Sequence, residues 1–78
     1  MCQPIIDVAA TCANLKKLCE DKDLTVSKLQ RALGLESSQA VYKWFSGKNL
    51  PNLDNMLTIA RLLGVTLDDI IVTNDVML

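Results

Sequence analysis

"LTVSKLQRALGLESSQAVYKWFSG", residues 24–47, reads as two short helices joined by one turn. The Thr25 hydroxyl is suited to accept from amides that a first helical turn leaves unpaired. Leu29, Ala32 and Leu33 then recur at helical spacing, and Gly34 stops the run where a left-handed residue is wanted. Ser37 is the next capping candidate. It opens a helix over residues 38–46 that Gly47 ends. In that helix Ala40, Val41, Trp44 and Phe45 fall at 0, 1, 4 and 5, an inward stripe. Ser38, Gln39, Tyr42 and Lys43 lie mostly on the other side. The chain's single Trp, Tyr and Phe all sit here, and the stripe divides them. Trp44 and Phe45 become core anchors, while Tyr42 reaches the surface.

The rest of the chain extends the helical pattern. Asp7 can cap a first helix whose apolar positions Val8, Cys12, Leu15 and Cys19 recur at 0, 4, 7 and 11, with polar "EDKD" at its end. Asn52 caps a fourth helix with Leu53, Met56, Leu57, Ala60 and Leu63 at 0, 3, 4, 7 and 10, closed by Gly64. Thr66 caps a last short helix, with Asp68 and Asp69 in its first turn, where the helix dipole favours acids. Five short helices with brief polar joints make a compact all-α domain over residues 1–78. The ends, "QPII" and "IIVTNDVML", carry β-branched pairs without helical period. They can fray, pair as a small two-stranded sheet, or extend the last helix.

The totals exclude several classes. Seventy-eight residues, half of them apolar, suffice for one core. No apolar run approaches a membrane span, and no Lys/Arg-led apolar leader opens the chain, so a soluble cytoplasmic protein is expected. Cys2, Cys12 and Cys19 make an odd set with no paired spacing. Cys12 and Cys19, on one helix, stand about 10 Å apart, too far to bridge, and read as small buried apolar residues. With no His and no CxxC pair, neither a zinc site nor any other cofactor is expected. No small-molecule ligand is evident. An enzyme is not expected either. The carboxylates are scattered or cap helices, the glycines end helices, and no base stands ready to activate a Cys.

The net charge is −1 but is unevenly spread. Lys28, Arg31, Lys43 and Lys48 against Glu36 give residues 24–50 a sum of +3. The first 23 residues sum to −1 and the last 28 to −3. The basic middle coincides with the two-helix unit, which has the helix-turn-helix pattern. Its outward residues suit duplex DNA. Gln39 can pair with adenine through two hydrogen bonds in the major groove. Lys43 can reach guanine or a phosphate, and the Ser38 hydroxyl can bond either. Lys28 and the amides that open both helices can hold phosphates. Lys48 and Asn49 follow the helix and can touch the backbone. The same residues also fit a plain solvated face, which every surface helix needs.

The ordered set resembles the phage-repressor-like, or XRE-type, helix-turn-helix family. The likeness spans about residues 12–71. It rests on Leu24-Thr25, Leu29, the Ala32-Leu33-Gly34-Leu35 turn, Val41 and Trp44, Gly47, Pro51, Leu57, Ala60, Leu63-Gly64-Val65 and Leu67-Asp68. The form "SQAVYKW…LP…DNM" is similar to a subgroup common in gut anaerobic Gram-positive bacteria, usually regarded as transcriptional regulators. The resemblance implies a five-helix, lambda-repressor-like domain, with the helix-turn-helix over 25–46 and the third helix entering the major groove. It implies double-stranded DNA as partner, bound by a homodimer. By position it implies Ser38, Gln39, Tyr42 and Lys43 as reading residues, Ala40 against a thymine methyl, and Ser37 against phosphate.

Three departures stand out. Glu36 is one residue more than the usual turn holds, and puts an acid on the side facing DNA. Val26 stands where many members carry a phosphate-gripping Gln. Cys19 and Phe45 stand where many members pair an Arg with a Glu. An exchanged pair of apolar groups can replace a partly buried ion pair with little loss. The resemblance therefore implies that Cys19 packs against Phe45. The alternative function is a protein-interaction module on the same scaffold, since fold does not fix function. With no separate dimerisation domain expected, a homodimer would use the tail "VML", the first helix, or the last two helices.

Overall fold

Every helix predicted from the periodicity is present. The computed structural model describes residues 2–77, with side chains described over 4–75. The order is β1 (Cys2–Ile6), α1 (Val8–Asp21), α2 (Val26–Leu33), α3 (Gln39–Phe45), α4 (Leu53–Leu63), α5 (Leu67–Ile70) and β2 (Thr73–Met77). The architecture is an all-α helix-turn-helix domain with a two-stranded sheet at its termini. The tail "VML", at 76–78, falls outside the described side chains.

Local chemistry sets the helix ends. Asp7, Thr25, Asn52 and Thr66 each accept from the backbone N–H three residues on. Thr66 and Asp69 complete a reciprocal cap. The Thr66 N–H donates to Asp69 Oδ2 at 2.9 Å, and this bond holds the Asp69 carboxyl below its usual pKa. Gly34 and Gly64 end α2 and α4 at φ values of 66° and 73°, a region glycine enters without strain. Asp23 plays the same part after α1 at φ 56°, which is costly for a residue with a Cβ.

Ser37 does not cap α3. Its Oγ accepts from the Gln39 N–H only at 3.5 Å, and the cap position is Ser38, which makes no side-chain cap bond. Residues 36–38 instead form a bend, so α3 starts one residue late. The additional residue Glu36 lies in that bend.

The core lies where all five helices converge. Leu15, Cys19, Leu29, Val41, Ile59 and Ile70 are all fully buried. Each large aliphatic among them contributes about 1.5–3 kcal/mol. Trp44 joins them at 4% exposure, while Phe45 is half-buried against the cluster. Cys12 and Cys19 are buried free thiols.

Four apolar assignments shift. Ala32 and Val8 are exposed rather than inward. On α4 the buried arc is Met56, Ile59, Ala60 and Leu63, leaving Leu53 at 70% and Leu57 at 42% exposure. Ile59 explains this. At 100° per residue it draws the centre of the arc away, and Leu57 falls about 110° from it.

Two side chains tie distant ends together. Thr11, buried on α1, donates to the Val72 carbonyl at 3.2 Å and accepts from the Val72 N–H at 2.9 Å. Asn14, also on α1, donates at 2.9 Å to the carbonyls of Asp69 and Ile70 at the end of α5. These bonds seat β2 beside β1.

Candidate nucleic-acid interface

Packing fixes how α3 faces outward. Val41 and Trp44 bury one side, with Ala40 and Phe45 half-buried at its edges. On a helical wheel the opposite arc holds Gln39, Tyr42, Lys43 and Ser46, and all four are exposed. Ser46, in the middle of that arc, was missed because the sequence presents it as the helix end. Its Oγ donates to the Lys43 carbonyl at 3.1 Å, which ties down the last turn.

Two grooves flank α3. The first, of about 520 Å³, is polar and brings Ser37, Gln39, Lys43 and Asn49 together with Asn52 and Asn55. Four of the eight candidate residues thus share one concavity. Asn52 and Asn55 come from the start of α4, and nothing local in the sequence marks them as neighbours of α3. The loop 46–52 brings them there. The Cys12 thiol anchors that loop by donating to the Asn49 carbonyl at 3.4 Å. The described bonds engage only the backbone of Asn49, and its side chain lies at the groove.

The second groove, of about 380 Å³, is mostly apolar and opens on the other flank. Tyr42 borders it, with Val26, Leu24, Cys19 and Phe45 along its walls and Lys16, Glu20 and Asp23 at its rim. Cys19 and Phe45, predicted to replace an ion pair, line this groove together. Burial, aided by the neighbouring Glu20 charge, pushes the Cys19 thiol up to about 11, so it stays protonated and unreactive at neutral pH.

The remaining candidates are dispersed. Ser38 is half-buried and turns partly away from the exposed arc. Lys48 is exposed after α3, its N–H donating to the Lys43 carbonyl at 3.0 Å. Lys28 is bent back. Its Nζ donates to the Asp23 carbonyl at 3.0 Å and approaches the Asp23 carboxylate at 3.9 Å. It must leave that turn to reach a phosphate.

The arrangement can present one rigid helix with amide, ammonium and hydroxyl groups outward. Such a helix fits the width of a B-DNA major groove. Among the described residues no helix is long and apolar enough to cross a membrane.

Comparison with known proteins agrees with the geometry. Residues 15–70 match the helix-turn-helix family. The chain is also 35% identical over 57 residues to the HTH-type transcriptional activator BcrR of Enterococcus faecalis. The match covers 73% of this chain and 28% of that protein, so the chain spans under a third of its relative's length. From residue 15 to residue 70, with α2 and α3 at its centre, the chain belongs to the helix-turn-helix family of DNA-binding domains, of the phage-repressor (XRE) type.

Proposed function

We propose that this domain binds double-stranded DNA sequence-specifically, with α3 in the major groove, and serves as a transcriptional regulator. The observation that carries this reading is the exposed arc of α3. Gln39 and Lys43 stand on the polar groove with Ser37 and Asn49, while Trp44 and Val41 lock the helix from behind. Gln39 and Lys43 read bases, Tyr42 and Ser46 flank them, and Ser37, Lys48 and Asn49 hold backbone. One copy offers few phosphate contacts, so two copies on half-sites about one helical turn apart supply the affinity.

Selection of bound duplexes from a random library, with Lys43→Glu beside the parent, tests this. The parent enriches a two-fold motif and the variant loses it while keeping its melting temperature. A folded parent that enriches nothing defeats the proposal. The apolar groove bordered by Phe45 and Tyr42 favours a second reading, a surface for another protein. Under that reading Lys43→Glu leaves partner binding unchanged.

A further inference from the structure

The terminal ribbon has two edges, and they are not equivalent. The Asp7 N–H donates to the Val72 carbonyl at 2.8 Å, and Ile6 lies opposite Thr73. Hydrogen-bonded and non-bonded pairs alternate along an antiparallel ladder. Ile5/Asn74 is therefore a bonded pair, and Pro4/Asp75 is not. It follows that Pro4 faces the outer edge of β1. Proline has no N–H, so that edge is interrupted. On β2 the groups of Thr73, Asp75 and Met77 face outward, and none of these residues is proline. Among the described residues β2 has no neighbour on that side.

The ribbon is also under-packed. Its contacts are chiefly between its own strands. Pro4, Ile5 and Ile6 are all exposed, Ile5 at 50% and Ile6 at 44%, although they point to opposite faces. The radius of gyration is 12.9 Å, and the longest axis is 42 Å against 24 and 20 Å. A packed domain of this length would have a radius of about 11.5 Å. The ribbon projects. A lone pair of strands is marginal in water, and further strands stabilise it.

We infer that the outer edge of β2 is a dimerisation edge, occupied by β2 of a second copy in antiparallel pairing. The sheet order becomes β1-β2-β2-β1 about a two-fold axis. An antiparallel strand edge is complementary to itself, which suits an isologous interface. The choice of a second copy rests on the proposed DNA reading, in which one small domain needs a partner on the adjoining half-site. Asp75 constrains the register. An axis through residue 75 would set two carboxylates opposite each other, which is repulsive, so the axis lies at a neighbouring residue.

Sedimentation equilibrium of the chain without DNA, from micromolar to about 100 μM, is the test. The parent dimerises with rising concentration. Asp75→Pro removes an outward N–H and a carboxylate but no bond to β1, so it stays folded by circular dichroism and remains monomeric even though a repulsive charge is gone. A parent that stays monomeric, or a folded Asp75→Pro that still dimerises, overturns the inference. Amide exchange on the parent covers the case in which the variant unfolds. Asn74 is protected at all concentrations by its bond to β1. Thr73 and Asp75 become protected only as the dimer forms. Fast exchange at Thr73 and Asp75 at the highest concentration also overturns it. Neither measurement involves DNA, so their failure and the failure of the duplex selection are read separately.

Discussion

Phe45→Glu alone should destabilise the domain strongly, because it introduces one half of an ion pair whose other half is absent. Phe45 is half-buried on the apolar groove whose wall includes the fully buried Cys19. Losing half of an aromatic side chain's burial costs about 1 kcal/mol. The new carboxylate is partly desolvated and stands near Glu20 and Asp23 at the rim, with Lys16 as the nearby cation. That adds roughly 1–2 kcal/mol. The sum, about 2–3 kcal/mol, corresponds in a domain of this size to a Tm lowered by roughly 12–18 °C. Cys19→Arg alone should also destabilise, since it forces a charge into a fully buried position. The double variant should recover at least about 1 kcal/mol relative to the sum of the singles. Thermal melts of the four proteins form the cycle. A Phe45→Glu melt at or above the parent's refutes the reasoning, and strictly additive singles refute the pairing of positions 19 and 45.

Thr11→Val keeps the side chain's shape but removes both bonds to Val72, leaving its N–H unmatched while its carbonyl keeps the Asp7 N–H. A loss of about 1–3 kcal/mol is expected, with faster amide exchange at Val72 that NMR can follow. The raised Cys19 thiol predicts alkaline weakening. The unfolded thiol releases its proton near 9 and the folded one near 11. The stabilisation is therefore complete below pH 9 and is lost as pH rises to 11, by roughly 1.4 kcal/mol per pH unit. Cys19→Ala should flatten this part of the stability profile, and denaturant midpoints measured from pH 8 to 11 decide it.

The fold was legible at most places where its cause was local, the Ser37 cap excepted. Asn52 and Thr66 announce helices because a cap bond spans three residues, and the sequence displays both partners. Thr11 and Asn14 announce nothing, because their partners lie 61 and 55 residues away. Their polar side chains on α1 look like solvated positions until the chain closes. The α4 stripe failed for a related reason. A period of 3.6 fixes which residues share an arc but not where its centre lies, and an apolar run such as Leu53–Leu63 offers several centres. Of the candidate site, the outward placement of Gln39, Tyr42 and Lys43 was legible from their angle to Trp44. Asn52 and Asn55 were not, since only the return of loop 46–52 places them beside α3.

Charge then shapes how such a site can work. The chain's net −1 is no obstacle by itself, because at physiological salt a charge is screened within about 8 Å while the domain is 42 Å long. What counts is the local balance on the α3 face. There Lys43 and Lys48 stand against exposed Glu36 in the preceding bend. Lys28 is held by Asp23, and Val26 offers phosphate no side-chain donor. On the proposed reading, the sequence-independent part of the binding energy should therefore be small in one copy, with a shallow salt slope. Weak general affinity lowers competition from non-specific DNA, but it leaves a single copy short of a stable complex. Joining two copies makes the second contact intramolecular and restores affinity without adding basic residues. On the proposed DNA reading, so few cations on the α3 face call for a second copy, and the β2 edge inferred above is where the backbone would join it.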